Sequence, residues 1–520
     1  MVMKKIILIA SFTLLLLQNC TKVDENVYDK YSAKDFYALP MGADAALAGV
    51  YAQIPGNWGG KGYFGADQGW SDLNIMTSDE GVVPHRNDGN WELDYAHLYM
   101  REWLPSEGYI WTVWQWLYNN AIFSANLAVD QLTKANADPS KIAEAKVLRS
   151  FFYYLAIDAF GDVPFFTDNN LSPSKIPQAK RADVYKWIVD ELKANIDLLP
   201  TQKGGSYYGR FNKMAGYTLL AKVYLNGEIL SGTAKYAECM AACDKIISEG
   251  GYSLHPGGAN ITSPLGYKYF ELFGDVCPDD ETILAIPITV DVVGRNIATV
   301  RSLFGTDGAL LVAPGVGSWN GTVIPPDVIA KFDPKDIRIQ QFRYGATPNG
   351  PKPTGFLIYK NQLTNIENPG ADVLDGARSQ KWLPVLPANG GGSSNDFAIY
   401  RYADILLMKA ECLLRTGGSN ADANSLVTQV RVRAGLSALP APLTLTNIYD
   451  ERGFELTWEG FRRQDMIRFG TFTQQHGGGL ALDGVTSNVV VPAVDDHFKL
   501  FPIPTNALNT NSSLKQNSGY

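Results

Sequence analysis

The residues with the clearest chemical potential in this 520-residue chain are loop tryptophans that lie near carboxylates and amides. Asp79 and Glu80 stand in a loop between Trp70 and Trp91, and a glycosidase needs only two carboxylates at a suitable separation. Glu451, Glu455 and Glu459 recur at i, i+4 and i+8, a spacing that predicts one helix face, with Arg452, Arg462 and Arg463 close by. Ion pairing accounts for such a face without any reaction. The five histidines, at 85, 97, 255, 476 and 497, never form HxxxH, so no zincin site is present. No G-x-S-x-G elbow occurs. The glycine-rich run 56–62 has the wrong spacing for a phosphate loop, and Gly315 and Gly317 lack the third glycine of a dinucleotide site. Nothing reaches calcium-loop spacing, and neither a metal nor a cofactor is expected.

Composition narrows the class. Lys and Arg total 45 against 53 Asp and Glu, a net charge of −8, with no basic run. Nucleic-acid affinity rests on neutralising many phosphates, so a nucleic-acid partner is not expected. Aromatic residues make up 12% of the chain; most must be core, and a minority on loops would suit flat ligands such as sugar rings.

The N-terminus reads as an address. Lys4 and Lys5 precede an apolar run of twelve, Ile6 to Leu17, too short as a helix for a ~30 Å hydrocarbon core. Residues 1–19 therefore read as a signal peptide, and Cys20 as the lipidated residue of a bacterial lipoprotein. Residues 20–40 read as a tether. The other cysteines, 239, 243, 277 and 412, form no framework, and Cys239 with Cys243 read as buried thiols on one helix.

The elements that must position any site are mainly helical. Apolar periodicity predicts helices over 108–132, 140–160, 182–199, 212–230 and 234–248, with a second helical block over about 399–472. Short connectors between them suggest tetratricopeptide-like pairs. Trp111, Trp114 and Tyr118 at i, i+3 and i+7 read as core, and Trp187 and Trp458 likewise sit in helical stretches. Residues 251–395 are rich in Gly, Pro, Asn and Ser, with β-like runs at 282–293 and 356–360. They read as a loop-rich inserted lobe, because no structureless loop of that length suits a compact domain. The expected organisation is one domain over 41–520. Its helical scaffold occupies about 41–250 and 396–475, its ligand lobe 251–395, and an extended C-terminal segment 476–520.

Six segments in order across the chain resemble the SusD/RagB family of surface nutrient-binding lipoproteins. They are 144–164, 219–225, 401–411, 430–436, 451–468, and 500–504 with 516–520. Arg463 and Ser518 are small departures, standing where the family usually has an aromatic and a proline. The resemblance implies a mainly α fold, four tetratricopeptide-like helix pairs carrying a loop-rich lobe with short β-strands. It further implies a lipid-anchored protein of the outer membrane, facing the cell surface. Such a protein binds oligosaccharide without cleaving it and hands it to a SusC-like TonB-dependent transporter. Arg401, Asp404, Glu411 and Glu459 are then buried ion pairs of the scaffold.

A glycan surface needs rigid loop aromatics flanked by planar hydrogen-bonding groups. The loop 85–91 fits best, with Arg86, Asn87, Asn90 and Trp91; Trp319 and Asn320 form the second candidate, and Trp58 the third. Other readings stay open on sequence: peptide or glycopeptide cargo, a glycoside hydrolase using Asp79 or Glu80, or a transporter lid with negligible affinity of its own.

Overall fold

The computed structural model describes residues 32–56, 61–65, 67–87, 91–290, 292–311, 316–345, 357–367, 371–385, 388–389, 391–478 and 487–520. Residues 1–31, including Cys20, and the candidates Trp58 and Asn90 lie outside these. The helices of seven or more residues are α1 (Pro40–Tyr51), α2 (Trp70–Met76), α3 (Leu93–Met100), α4 (Gly108–Gln115), α5 (Ile122–Lys134), α6 (Pro139–Phe160), α7 (Arg181–Asn195), α8 (Lys213–Leu225), α9 (Tyr236–Glu249), α10 (Tyr402–Arg415), α11 (Asn420–Arg433), α12 (Leu445–Glu455) and α13 (Arg462–Arg468). A π-helical turn, Trp116–Ala121, joins α4 to α5 where the periodicity predicts one continuous helix. Successive helices pack in series, α5 on α6, α6 on α7, α8 on α9, α9 on α10 and α10 on α11, as tetratricopeptide-like pairs do.

The spine of the first block is α6. Asp138 caps it by accepting from the Ser140 N–H, and Pro139 opens it where an amide donor is not needed. Its side chains are buried nearly all round, so packing rather than an amphipathic stripe holds it. Gly161, at φ 73°, ends it. The C-terminal segment clamps that end: Phe501 N–H donates to Ala159 O at 2.8 Å, and Asn517 Nδ2 to Phe160 O at 2.9 Å.

The inserted stretch is pinned at its base by the two five-residue strands among the described residues. β1 (Thr282–Ile286) pairs antiparallel with β2 (Phe397–Arg401), from Thr282 opposite Arg401 to Ile286 opposite Phe397. Every other ladder there is two residues long. Of the run 356–360, Phe356 lies outside the described residues, and 357–360 form no strand beyond a bridge of Lys360 to Asp375.

Buried ions weld this stretch to the helices. Arg401, at the end of β2, meets Glu281, Glu455 and Glu459 at 2.7–2.9 Å. Glu455 also accepts from Arg433 and from Arg338, and Lys381 reaches Glu459 at 2.7 Å. A second network joins Arg452 to Asp404 and Asp465, Lys222 to Asp404, and Arg468 to Glu411.

Three sequence expectations need correction. Glu459 and Trp458 are not on a helix: α12 stops at Glu455, and a turn with positive φ at Trp458 (63°) and Gly460 (82°) follows. The tether range already holds a helix at Ala33–Ala38. Within 476–520, not all of the described chain is extended: Val490–Val491 pairs with His476–Gly477, Asp496–Lys499 makes a 3-10 turn, and Thr505–Thr510 is helical, while 500–504 is extended. The four cysteines 239, 243, 277 and 412 are free and buried.

Candidate ligand-binding site

The chain brings Trp91 and Trp319 together from positions more than two hundred residues apart. Their ring centroids are 6.4 Å apart, and the Trp91 indole N–H donates to the Trp319 carbonyl at 3.0 Å. Both side chains are half-buried.

The juxtaposition follows from how the two loops are laid down. Val82 pairs with Val323 in a short antiparallel bridge, with 3.0 and 2.8 Å hydrogen bonds in the two directions. Farther along, His85 N–H donates to Ile366 O and Asn87 N–H to Ala371 O. Arg86 is fully buried, and its guanidinium donates to the carbonyls of Asp372 (2.7 Å) and Asp375 (3.1 Å), tying this loop to the inserted lobe. Asn87 is exposed at the rim. Trp91 turns back at φ 66°, its carbonyl bonded by His85 Nδ1.

The second loop folds onto the turn Ala298–Ser302. The amides of Trp319, Asn320 and Gly321 donate to the carbonyls of Val300, Leu303 and Arg301. Asn320 is buried at φ 52°, and its Oδ1 accepts from Arg378 at 2.8 Å. Gly321 is required by contact: a Cβ there would lie 2.5 Å from Cζ2 of Trp91.

Beneath the pair sits a charge that sequence reasoning missed. Arg301 lies over the Trp91 ring (5.2 Å) and the Tyr95 ring (5.5 Å), and it pairs with Asp72 on α2. Cation–π attraction is strongest where water is excluded, and Arg301 is fully buried. Burial pushes Asp72 up to about 6 against the pull of Arg301, which leaves the pair ionised at neutral pH. Tyr95 meets Trp91 edge-on at 5.2 Å and Tyr109 of α4 at 4.3 Å. No spacing rule links 72, 95 and 301, so no sequence signal could have assembled them.

The carboxylates considered for catalysis are placed differently. Asp79 is buried, and both its oxygens accept from Arg462, at 2.7 and 2.9 Å. Against burial, that guanidinium holds Asp79 well below the usual carboxylate range. Glu80 is pushed up to about 8 by burial; one oxygen accepts from the Trp458 amide, and the other has no hydrogen-bond partner among the described residues. The cavity they line holds about 20 Å³, against ~300–1,000 Å³ for small-molecule sites. Asp79 fastens this segment to α13 and Glu80 fastens it to the turn at Trp458, and the space left admits no sugar ring. Asp94, His97 and Glu107 place one ligand atom each within 4.8 Å of one another, a group that could hold a cation. No helix among the described residues is long and apolar enough to cross a membrane.

Comparison with known proteins agrees with this architecture. The SusD family model matches residues 318–520, and a SusD-like model described as starch-binding and associating with the outer membrane matches residues 64–225. The starch-binding protein SusD of Bacteroides thetaiotaomicron is 25% identical over 480 residues, covering 82% of this chain and 81% of the relative. A SusD-like protein from Bacteroides fragilis superposes with a TM-score of 0.72 at 19% identity, over 94% of this chain and 98% of that one. The surface glycan-binding protein A of Bacteroides thetaiotaomicron, solved in complex with laminarihexaose, gives 0.67 at 20% identity, over 91% and 98%. With its helix pairs, pinned lobe and buried ion networks, the chain belongs to the SusD family.

Proposed function

We propose that this chain is a glycan-binding lipoprotein of the outer membrane, anchored through Cys20, that captures oligosaccharide at the cell surface without cleaving it. It passes the cargo to a SusC-like TonB-dependent transporter. The observation that carries the reading is the half-buried Trp91–Trp319 pair, set on one loop of the lobe and one loop tied to it. Two such indoles offer apolar faces for the C–H faces of sugar rings. Trp91 and Trp319 are the stacking residues in this reading, with Asn87 exposed on the same loop as Trp91; Trp58 and Asn90 remain candidates outside the described residues. Arg86 and Asn320 hold the two loops in place. The named binding of starch by one relative and of laminarihexaose by a structural neighbour supports a neutral glycan as the cargo. The confinement of Asp79 and Glu80 to a cavity of about 20 Å³ supports binding without hydrolysis.

Calorimetric titration of the full chain with laminarihexaose and with maltoheptaose tests the site. Trp91→Ala and Trp319→Ala should each weaken binding by about 1 kcal/mol or more. Unchanged affinity in both variants would show that the site lies elsewhere.

A further inference from the structure

We infer that the chain carries a second carbohydrate-binding groove, on the side of α4 opposite the Trp91–Trp319 pair. The inference rests on the glycan reading and extends it to a separate surface. Tyr109 packs on Tyr95 below Trp91, whereas Trp111, two residues and about 200° farther round the helix, faces the groove.

The groove has a volume of about 620 Å³, within the range of small-molecule sites. Three chain segments enclose it: 111–123, which includes the π turn; 164–176; and the C-terminal stretch 507–514. The walls are fixed to one another, since Asn169 Nδ2 donates to Phe123 O at 3.1 Å and Asn511 Nδ2 to Ile176 O at 2.8 Å.

The chemistry of the lining selects the ligand. No Asp, Glu, Lys, Arg or His lines it, which disfavours charged cargo. Trp111 and Phe123 present partly exposed rings, and Phe123 is 44% exposed at the rim. Asn119, Asn169 and Asn511 also line the groove. Aromatic faces together with neutral amides match a sugar, whose C–H faces stack while its hydroxyls pair in the ring plane. A purely apolar occupant would leave Asn169 Oδ1 without a partner.

Two further observations point the same way. Tyr118 Oη and Asn169 Oδ1 are buried without a hydrogen-bond partner among the described residues, and both residues line the groove. A buried polar atom left unpaired is costly, and a hydroxylated ligand would supply the partner. Tyr118 and Asn119 also lie on the π-helical turn, a local irregularity frequent at functional sites.

Hydrogen–deuterium exchange of the full chain with and without laminarihexaose or maltoheptaose, paired with calorimetry, tests the groove. Protection of 108–123 and 164–176 is expected, and Phe123→Ala should abolish it and weaken that site roughly tenfold. Because Phe123 is exposed, that variant should keep the wild-type melting temperature; Trp111→Ala provides the second variant. If glucan binds but protects only 84–91 and 316–321, the groove proposal falls and the function stands. If neither these glucans nor any other neutral oligosaccharide of a plant, fungal and bacterial panel binds at all, the functional reading falls and takes the groove with it. If the groove segments are protected only by a purified outer-membrane transporter, the groove is a protein-docking face and its assignment to carbohydrate is overturned.

Discussion

At Gly321 a single hydrogen atom decides whether two loops can meet. The Trp91 ring lies where any Cβ at 321 would be, and the ring's N–H bond to Trp319 depends on that approach. Gly321→Ala should therefore displace the Trp91 indole and cost about 1–2 kcal/mol of stability. Tryptophan emission should shift to longer wavelength as the ring is exposed, and an unaltered spectrum and unfolding midpoint would contradict the packing. Glu80 makes a prediction of a different kind. Burial raises it to about 8, far above the ~4.3 of an unfolded glutamate, so the folded chain holds one more proton between those values. Stability contributed by Glu80 is complete below about pH 4 and falls by up to about 1.4 kcal/mol per unit as pH rises towards 8. Asp79 works in the opposite sense: its pairing with Arg462 stabilises above about pH 4 and fails only in acid, outside this window. Urea midpoints between pH 6 and 8 should decline less in Glu80→Gln than in the wild type, and parallel slopes would refute the assignment. The sequence makes Trp91 and Trp319 visible as loop aromatics with nearby glycines. It hides Arg301 and Asp72, because their role arises only when α2, the Ala298–Ser302 turn and the two loops converge.

Among the elements, α12 carries the heaviest constraint. Glu455 sits at zero exposure among Arg338, Arg401 and Arg433, which hold it below the usual carboxylate range against the effect of burial. Taking one partner from a buried ion network leaves the others uncompensated, which typically costs ~3–5 kcal/mol. Glu455→Ala should lose stability of that order by urea unfolding, and a loss below about 1 kcal/mol would mean the network is not a structural joint. Helix periodicity was readable for the scaffold, and the spans predicted at 140–160 and 234–248 fall within a residue or two of α6 and α9. Periodicity could not reveal the end of α12. There the Trp458 amide and indole both bond Glu80, nearly four hundred residues away in sequence, and this tertiary hold overrides the local helical pattern. The π turn at Trp116–Ala121 was equally hidden, since one extra residue per turn barely disturbs an apolar pattern.

For the whole molecule, the arrangement is a rigid helical frame presenting a loop-rich lobe. β1 and β2 close the lobe's base, the Arg401 network fixes it to α11 and α12, and the Val82–Val323 bridge sets the two tryptophan loops side by side. The internal order of this lobe depends on short bridges that leave no sequence pattern. The most direct test of the account is a calorimetric titration of the intact chain with neutral plant, fungal and bacterial oligosaccharides, each mixture assayed for new reducing ends. The account predicts saturable binding to one glycan class with no increase in reducing ends. Release of reducing ends, or silence across the panel with binding to neutral peptides, would contradict it.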